Sequence, residues 1–327
     1  MDILISEDLQ APAIERLGRK YNLVRDAALW KEPQRLLRAV DGAKALLVRN
    51  QTQVTAEVLG AGSSLLGIGR LGVGLDNIDV AAASSLGVVV VAPLSANAVS
   101  VAELTLGVIL ALARKLPQAD NSTKAGGWDR KGCTGIELAG KILAICGLGR
   151  IGALVAGRAR AFGMQLLAYD PFVKEDSPVL QETGARLCAS LEEALAGADF
   201  VSVHLPLTPD TRHLFGATTF AATKAGAYFI NTSRGGVVDE AALLQALQTG
   251  RLAGAGLDVR EVEPPAAKTA LESLPQVILT PHIGAFTVEA QTRTFEAVAD
   301  DMDRLLSGQP AVNFVNFDRP KRSGPVQ

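Results

Sequence analysis

Between Lys141 and Asp170 the chain reads KILAICGLGRIGALVAGRARAFGMQLLAYD, and few arrangements accommodate that stretch. Ile142, Leu143, Ala144, Ile145 and Cys146 form a short apolar run, the pattern of a parallel strand buried on both faces. Gly147, Gly149 and Gly152 follow in G-x-G-x-x-G spacing. The first glycine permits a tight turn, the second admits a pyrophosphate to the backbone, and the third lets helix and strand pack closely. Ile151, Leu154, Val155, Ala159 and Phe162 recur at helical period and predict a helix with one apolar face, closed by Gly163. A second strand, Gln165 to Tyr169, ends in Asp170. A carboxylate about 20 residues beyond the glycines accepts from the adenosine ribose hydroxyls and repels a 2′-phosphate. The stretch therefore predicts a dinucleotide site that takes NAD rather than NADP. A glycine turn with no ligand is the alternative, and the strand, helix and spaced acid all count against it.

The remaining composition narrows the class. A chain of 327 residues with 48% apolar content has material for two domains with cores of their own. A net charge of −2 argues against a nucleic-acid partner held by bulk electrostatics. Cys133, Cys146 and Cys188 make no C-x-x-C pair, and no signal peptide precedes the first strand, so a reducing cytoplasm is expected. No membrane span is expected either, since the most apolar helical stretch, Val101 to Ala113, is too short and contains Glu103. No metal-ligand cluster stands out.

Before the fingerprint, Ile3 to Ser6, Ala45 to Arg49, Leu66 to Arg70 and Gly87 to Ala92 read as strands, with a helix over Pro12 to Lys20. Strands alternating with helices predict a parallel sheet covered on both faces. Ser100 and Glu103 form an S-x-x-E capping box that opens a long helix to Leu116, apolar round most of its circumference, with Pro117 near its end. Such a helix is buried between domains or subunits. Trp128, in the loop Ala125 to Gly135, reads as packing. After Asp170, strands are expected at Phe200–His204, Tyr228–Asn231, Ala255–Val259 and Val277–Thr280, and helices at Leu191–Leu195, Asp239–Thr249 and Thr287–Leu306. The last of these belongs with the first unit. The polar tail Asp318 to Gln327 reads as mobile. Arg234, Asp258, Glu263 and His282 collect at carboxyl ends of strands, where open α/β sheets bind ligands. His213 reads as a surface or turn histidine, and Cys146 as a small buried apolar residue.

With these segments in view, the chain resembles the D-isomer-specific 2-hydroxyacid dehydrogenases over about residues 1–315. The motifs that carry the resemblance are GRLGVGLDNID (69–79), GLGRIG (147–152), VHLPLTPDT (203–211), INTSRGGVVDE (230–240), LDVREVEP (257–264) and TPHIGA (280–285). Within the family it is most similar to the D-3-phosphoglycerate and sulfolactate dehydrogenases. The resemblance implies two Rossmann-like α/β domains: an NAD-binding domain, 97–285, inserted into a substrate-binding domain, 1–96 and 286–327, with the active site in the cleft. It implies a catalytic Arg234 that presents a donor fork to a carboxylate and carbonyl. It implies His282 as the acid–base that serves the substrate oxygen, and Glu263 as the acceptor that fixes the imidazole tautomer. It further implies cofactor contacts from Gly147, Gly149, Arg150, Ile151, Gly152, Asp170, His204, Leu205, Pro206, Thr211, Thr232, Ser233, Asp258 and Gly284. Val73 and Gly74 would hold the substrate carboxylate through backbone N–H groups, although related phosphoglycerate dehydrogenases often have a threonine where Val73 stands. The family implies a homodimer built on the apolar helix and the loop after it.

The substrate's far end is open to two readings. Arg49 and Arg70 each end a strand, and the loop at Trp128 brings Arg130. They serve a second anionic group, phosphate or sulfonate, or Arg49 and Arg70 are solvated or paired with acids such as Asp76 or Asp79. A sulfolactate enzyme, or a general 2-oxo acid or hydroxypyruvate reductase, is the alternative activity. The related C-terminal-binding corepressors raise a dinucleotide-sensing regulator, disfavoured because no extended interaction tail is present. Formate dehydrogenases have glutamine where Glu263 stands, and phosphite dehydrogenases have a lysine in the Leu71–Gly74 loop; both depart from this chain. The short stretch after His282 leaves no room for an appended serine-sensing domain, so no inhibition by serine is expected.

Overall fold

The computed structural model describes residues 1–322 and forms two compact units, residues 1–97 with 285–322 and residues 98–284. Residues 323–327, the end of the polar tail, lie outside the described residues.

The first unit is built on β1 (Ile3–Ile5), β2 (Leu23–Arg25), β3 (Ala45–Val48), β4 (Gly67–Arg70) and β5 (Val89–Val91). All pairs are parallel, in the order β2-β1-β3-β4-β5. The order reverses at β1 and β3, so the chain after each of these strands meets at a switch point, the place where such sheets take ligands. β1, β3 and β5 are buried apolar runs, as strands covered on both faces must be. The edge strand β2 is part-exposed and carries an arginine, which is why no apolar run announced it.

Helix Val288–Leu306, capped by Thr287 Oγ1 accepting from Ala290 N, packs onto β4. The seat is made by Gly67 and Gly69, two apart and so on one face of the strand. A Cβ at Gly69 would stand 2.4 Å from Leu47 Cδ2 and 2.7 Å from Val298 Cγ1, and one at Gly67 2.8 Å from Leu305 Cδ1. Buried Asp301 on the same helix accepts from Val312 N, Asn313 N and Asn313 Nδ2 and so fixes the chain that leaves it. The tail expected to be mobile is tied through its described part: Asp318 O accepts from Ala311 N, and Lys321 N donates to Gly87 O at 2.9 Å.

The second unit has β6 (Ile142–Cys146), β7 (Gln165–Tyr169), β8 (Arg186–Leu187), β9 (Phe200–Val203), β10 (Ala227–Asn231), β11 (Leu252–Leu257) and β12 (Val277–Leu279). The sheet is parallel throughout, in the order β12-β11-β10-β9-β6-β7-β8, and reverses at β6 and β9. One face carries a cluster that includes Phe215, Phe220 and Phe229, with Phe220 edge-on to Phe229 at 5.2 Å. The other is covered by helices Ala98–Ala113 and Arg150–Ala161. Gly256 in β11 lets the first of these approach closely, since a Cβ there would lie 2.1 Å from Val108 Cγ1.

Four expectations fail here for local reasons. The long helix begins at Ala98, so Ser100 is buried inside its first turn and does not stand at the cap position. It also ends at Ala113. Lys115 turns left-handed at φ 52°, and a separate helix, Leu116–Lys124, holds Pro117 in its first turn. Proline's missing N–H costs nothing there. Phe162 is the helix-ending residue and 44% exposed, and Gly152 and Ala156 take its place on the buried face. Trp128 is 80% exposed rather than packed. Among the described residues no helix is long and apolar enough to cross a membrane.

Because Gly69 faces two branched side chains, Gly69→Ala should lower unfolding stability by about 1–3 kcal/mol, the usual cost of overpacking. Urea denaturation that gave equal midpoints for the two proteins would contradict the seat described for Val288–Leu306.

Candidate active site

The glycine turn lies at the switch point of the second sheet. Gly147 adopts φ +94°, and a Cβ on it would come within 2.6 Å of His204 O, on the loop that follows β9. A Cβ on Gly152 would come 2.1 Å from Gly147 O, so helix and turn are in backbone contact. Gly149 precedes the first helical residue and would meet nothing within 4 Å. Two glycines are thus demanded by packing, and the third leaves open room at a helix start where backbone N–H groups favour an anion. Asp170 Oδ2 accepts from Leu148 N at 2.9 Å, which places its carboxylate against the turn, and Oδ1 accepts from Phe172 N. Arg150 and Ile151 open the helix. These residues fit a dinucleotide.

The chain after β9 supplies His204, Leu205, Pro206 and Thr211. Thr211 Oγ1 donates to Pro206 O at 2.6 Å and receives Thr208 N, which folds the segment on itself. His204 Nε2 lies 2.9 Å from Ser202 Oγ, while its buried Nδ1 has no hydrogen-bond partner among the described residues. Burial pushes this imidazole down to about 4, so it is neutral at physiological pH. Thr232 Oγ1 meets Thr105 Oγ1 at 2.9 Å inside the unit. Ser233 Oγ donates to Asn231 Oδ1 at 2.8 Å. Cys146 is fully buried, its thiol pushed up to about 12, as expected of an inert apolar residue.

Arg234, Glu263 and His282 follow three neighbouring strands, β10, β11 and β12, whose registers pair Asn231 with Leu257 and Leu257 with Leu279. His282 Nδ1 and Glu263 Oε2 are 2.6 Å apart. The other oxygen of Glu263 accepts from Arg260 N at 2.8 Å. Burial pushes this carboxyl up, but the bonds from His282 and Arg260, with the charges of His282 and Arg234, hold it below its ordinary value. An ionised Glu263 accepts, so Nδ1 carries the proton and Nε2 is left to act. Arg234 Nη1 donates to Ser233 O, and Asn231 Nδ2 supports Arg234 O at 2.9 Å.

His282 has φ +55°, a left-handed backbone that costs a non-glycine residue about 1–3 kcal/mol. Asp258 imposes it. Its carbonyl accepts from His282 N, and its buried carboxylate accepts from Thr280 Oγ1, Ile283 N and Gly284 N at 2.6–2.8 Å. The carboxylate, expected to contact the cofactor, is thus mostly engaged in holding the histidine turn. His213 is half-exposed at the surface and pairs with Glu261 at 2.6 Å. Arg130 is exposed, and its side chain has no hydrogen-bond or ion-pair partner among the described residues.

In the first unit, Arg49 follows β3. It donates to Gln291 Oε1 at 2.7 Å and lies 4.4 Å from the Phe286 ring centre, with no carboxylate in ion-pair distance among the described residues. Asp79 caps helix Val80–Ser85 rather than pairing with Arg49. The guanidinium of Arg70 folds back over Gly72, where a Cβ would fall 1.6 Å from Nη1. Val73 N and Gly74 N have no acceptor among the described residues. Glu7, which no motif drew out, is buried and accepts from the backbone N–H groups of Arg49, Asn50, Gln51 and Thr52. An acid just past the first strand of a switch point was its only signal.

Residues 106–284 match the model of "D-isomer specific 2-hydroxyacid dehydrogenase, NAD binding domain". The chain belongs to the D-isomer-specific 2-hydroxyacid dehydrogenases. It is 45% identical over 315 residues, 96% of its own length, to D-3-phosphoglycerate dehydrogenase of Methanocaldococcus jannaschii, of which it spans 59%. Among solved structures it is similar to the TT0316 protein of Thermus thermophilus, with 34% identity and TM-score 0.88 over 96% of this chain and all of the other. It is also similar to D-lactate dehydrogenase of Aquifex aeolicus complexed with NAD and lactic acid, with 30% identity and TM-score 0.86 over 96% of this chain and 99% of that one. As a member of this family, the chain takes NAD as its cofactor. The turn at Gly147–Gly152 and Asp170 have the chemistry that cofactor requires.

The loop that carries Glu263 is fastened by Arg260, whose Nη1 donates to Glu272 Oε1 at 2.7 Å. That bond and the donors of Thr269 hold the Glu272 carboxyl down to about 2. A depressed carboxyl stabilises the fold above its unfolded value near 4.5, and the contribution is lost as pH falls from there toward 2. Glu272→Gln should therefore lower Tm at neutral pH and flatten the fall of Tm between pH 4.5 and 2. Superimposable Tm–pH curves for the two proteins would contradict this.

Proposed function

We propose that the chain interconverts a 2-oxo acid and a 2-hydroxy acid with NAD(H), and that the substrate carries a second anionic group near C3. The observation that carries the first part is the 2.6 Å contact of His282 with Glu263, within the electrostatic reach of Arg234 and in a domain of this family. When bound, NADH would supply the hydride that reduces the carbonyl carbon. His282 Nε2 gives its proton to the carbonyl oxygen, and in the reverse direction takes it back from the hydroxyl. Glu263 holds the ring in the required tautomer and stabilises the imidazolium. Arg234 binds the carboxylate and carbonyl oxygen through two parallel donors. Gly147, Gly149, Arg150, Ile151, Gly152, Asp170, His204, Leu205, Pro206, Thr211, Thr232, Ser233, Asp258 and Gly284 are assigned to the cofactor side.

For the second anion we assign Arg49, with Arg70, and for the carboxylate the N–H groups of Val73 and Gly74. Arg49 supports this because its side chain is half-buried and meets an amide and a ring face, with no carboxylate in ion-pair distance among the described residues, and burial, outweighing the charge of Glu7, pulls its guanidinium below its ordinary value. An incoming anion relieves that cost. Arg130 is assigned to the same group. We further propose a two-fold homodimer. Val99, Leu116, Trp128 and Ile136, along the apolar helix and the chain beyond it, expose large side chains that a second copy would cover. The free thiols of Cys133, Cys146 and Cys188 support a reducing, cytoplasmic setting.

Turnover with NADH should be fastest on 3-phosphohydroxypyruvate or 3-sulfopyruvate and weaker on hydroxypyruvate and pyruvate. A charge-assisted contact is worth about 1.5–3 kcal/mol, so Arg49→Ala should erase roughly 10–100-fold of that preference in kcat/KM. Pyruvate used as well as the dianionic acids would remove the second anion from the proposal, and no turnover on any of the four would remove the activity. Light scattering at micromolar concentration should give twice the 34.2 kDa chain mass, and a monomer would contradict the dimer.

A further inference from the structure

Glu263 stands on a loop whose residues 261–270 are all exposed, yet its carboxylate must hold a fixed direction toward His282. An exposed loop of that length has little packing of its own to fix a side chain. The restraint lies at its neck. Arg260 Nε and Nη2 donate to Glu240 Oε1 and Oε2, both at 2.9 Å, a two-pronged pairing with the first residue of helix Glu240–Gln248. Nη1 donates to Glu272 at 2.7 Å, on the far side of the loop, and Glu272 Oε2 in turn accepts from Thr269 N and Oγ1. The Arg260 side chain is only 10% exposed. One guanidinium therefore joins the two ends of the loop to each other and to a helix.

The backbone of Arg260 is equally committed. Its N–H donates to Glu263 Oε1, and its carbonyl packs on Gly235, the residue after Arg234, where a Cβ would stand 1.8 Å from that oxygen. Glu261 N adds a bond to Glu240 Oε1 at 2.8 Å. Movement of Arg260 would thus disturb the support of Glu263 and the backing of the Arg234 segment together.

We propose that Arg260 is a positioning residue for the reaction: its clasp onto Glu240 and Glu272 fixes the loop so that Glu263 meets His282. This rests on the reading of His282 and Glu263 as the acid–base pair. The guanidinium touches neither reacting group and acts through the loop alone. Its planar fork is what the geometry uses, since it holds two carboxylates in different directions at once.

The test compares Arg260→Met, Arg260→Lys, Glu272→Gln and His282→Ala, assayed with NADH and the best of the four 2-oxo acids above. A misplaced Glu263 should lower kcat in Arg260→Met by about 10-fold or more, because small displacements in a catalytic group are costly. NADH binding, followed by its fluorescence, should stay within about twofold, the split that marks a defect in the chemical step rather than in the cofactor site. The downfield imidazole proton resonance of His282 bonded to Glu263, seen in the wild type, should weaken or vanish. Arg260→Lys should recover part of kcat, as an ammonium pairs with one carboxylate less directionally. Unchanged kcat and an unchanged resonance in Arg260→Met would overturn the clasp. Where Arg260→Met does not fold, Glu272→Gln cuts the far arm alone, and the same unchanged pair of readouts there would also overturn it. His282→Ala separates the two levels. If it keeps full kcat, the acid–base reading itself falls and the clasp with it; if it loses kcat while Arg260→Met does not, only the clasp falls.

Discussion

Asp258 is a buried carboxylate that meets one hydroxyl and two backbone N–H groups, while its own carbonyl takes a third N–H. Removing a charge from water is costly unless such donors replace the lost hydration. Here they all come from the short segment after β12, so the buried carboxylate keeps its donors only while that segment keeps one shape. That shape places His282 at φ +55°. The solvation of one acid thereby sets the direction of a neighbouring imidazole, and the remaining partners of the site are arranged around it.

A similar economy recurs in the first unit. Glu7 is buried at the switch point of its sheet and collects the N–H groups of residues 49–52. The carbonyl-rich edge of a parallel sheet offers no donors of its own, so a loop that turns its N–H groups inward needs an acceptor. Glu7 is that acceptor, and it leaves the Arg49 side chain to Gln291 and the Phe286 ring. In each unit a buried acid gathers the backbone N–H groups beside the side chain assigned to a ligand: Glu7 beside Arg49 and Asp258 beside His282.

The glycine turn was legible in the sequence because its spacing is imposed by backbone geometry: Gly147 and Gly152 sit where a turn and a helix in backbone contact require them. The buried strands were legible as apolar runs. Position along a helix was not. Ser100 and Glu103 have the spacing of a cap, yet the helix begins two residues earlier, at Ala98. Edge strands such as Leu23–Arg25 lack a buried face and leave no pattern. Glu7 and Arg260 were missed for a different reason. Their partners are backbone groups and acids far along the chain, and no local spacing encodes those meetings. Asp258 was found by motif, but its work on the His282 turn became visible only from its hydrogen bonds.

The three glycines of the fingerprint also differ in what they answer to. A Cβ on Gly147 or Gly152 would collide with one of the protein's own carbonyls, whereas one on Gly149 would meet nothing within 4 Å. A methyl group at 147 or 152 is refused by the fold before any ligand arrives, so selection at those two positions would act even on a chain that had lost its chemistry. At 149 the fold is indifferent, and only an occupant can object. Drift at that single position would therefore date the loss of dinucleotide use in a descendant of this chain, long before the sheet around it began to decay.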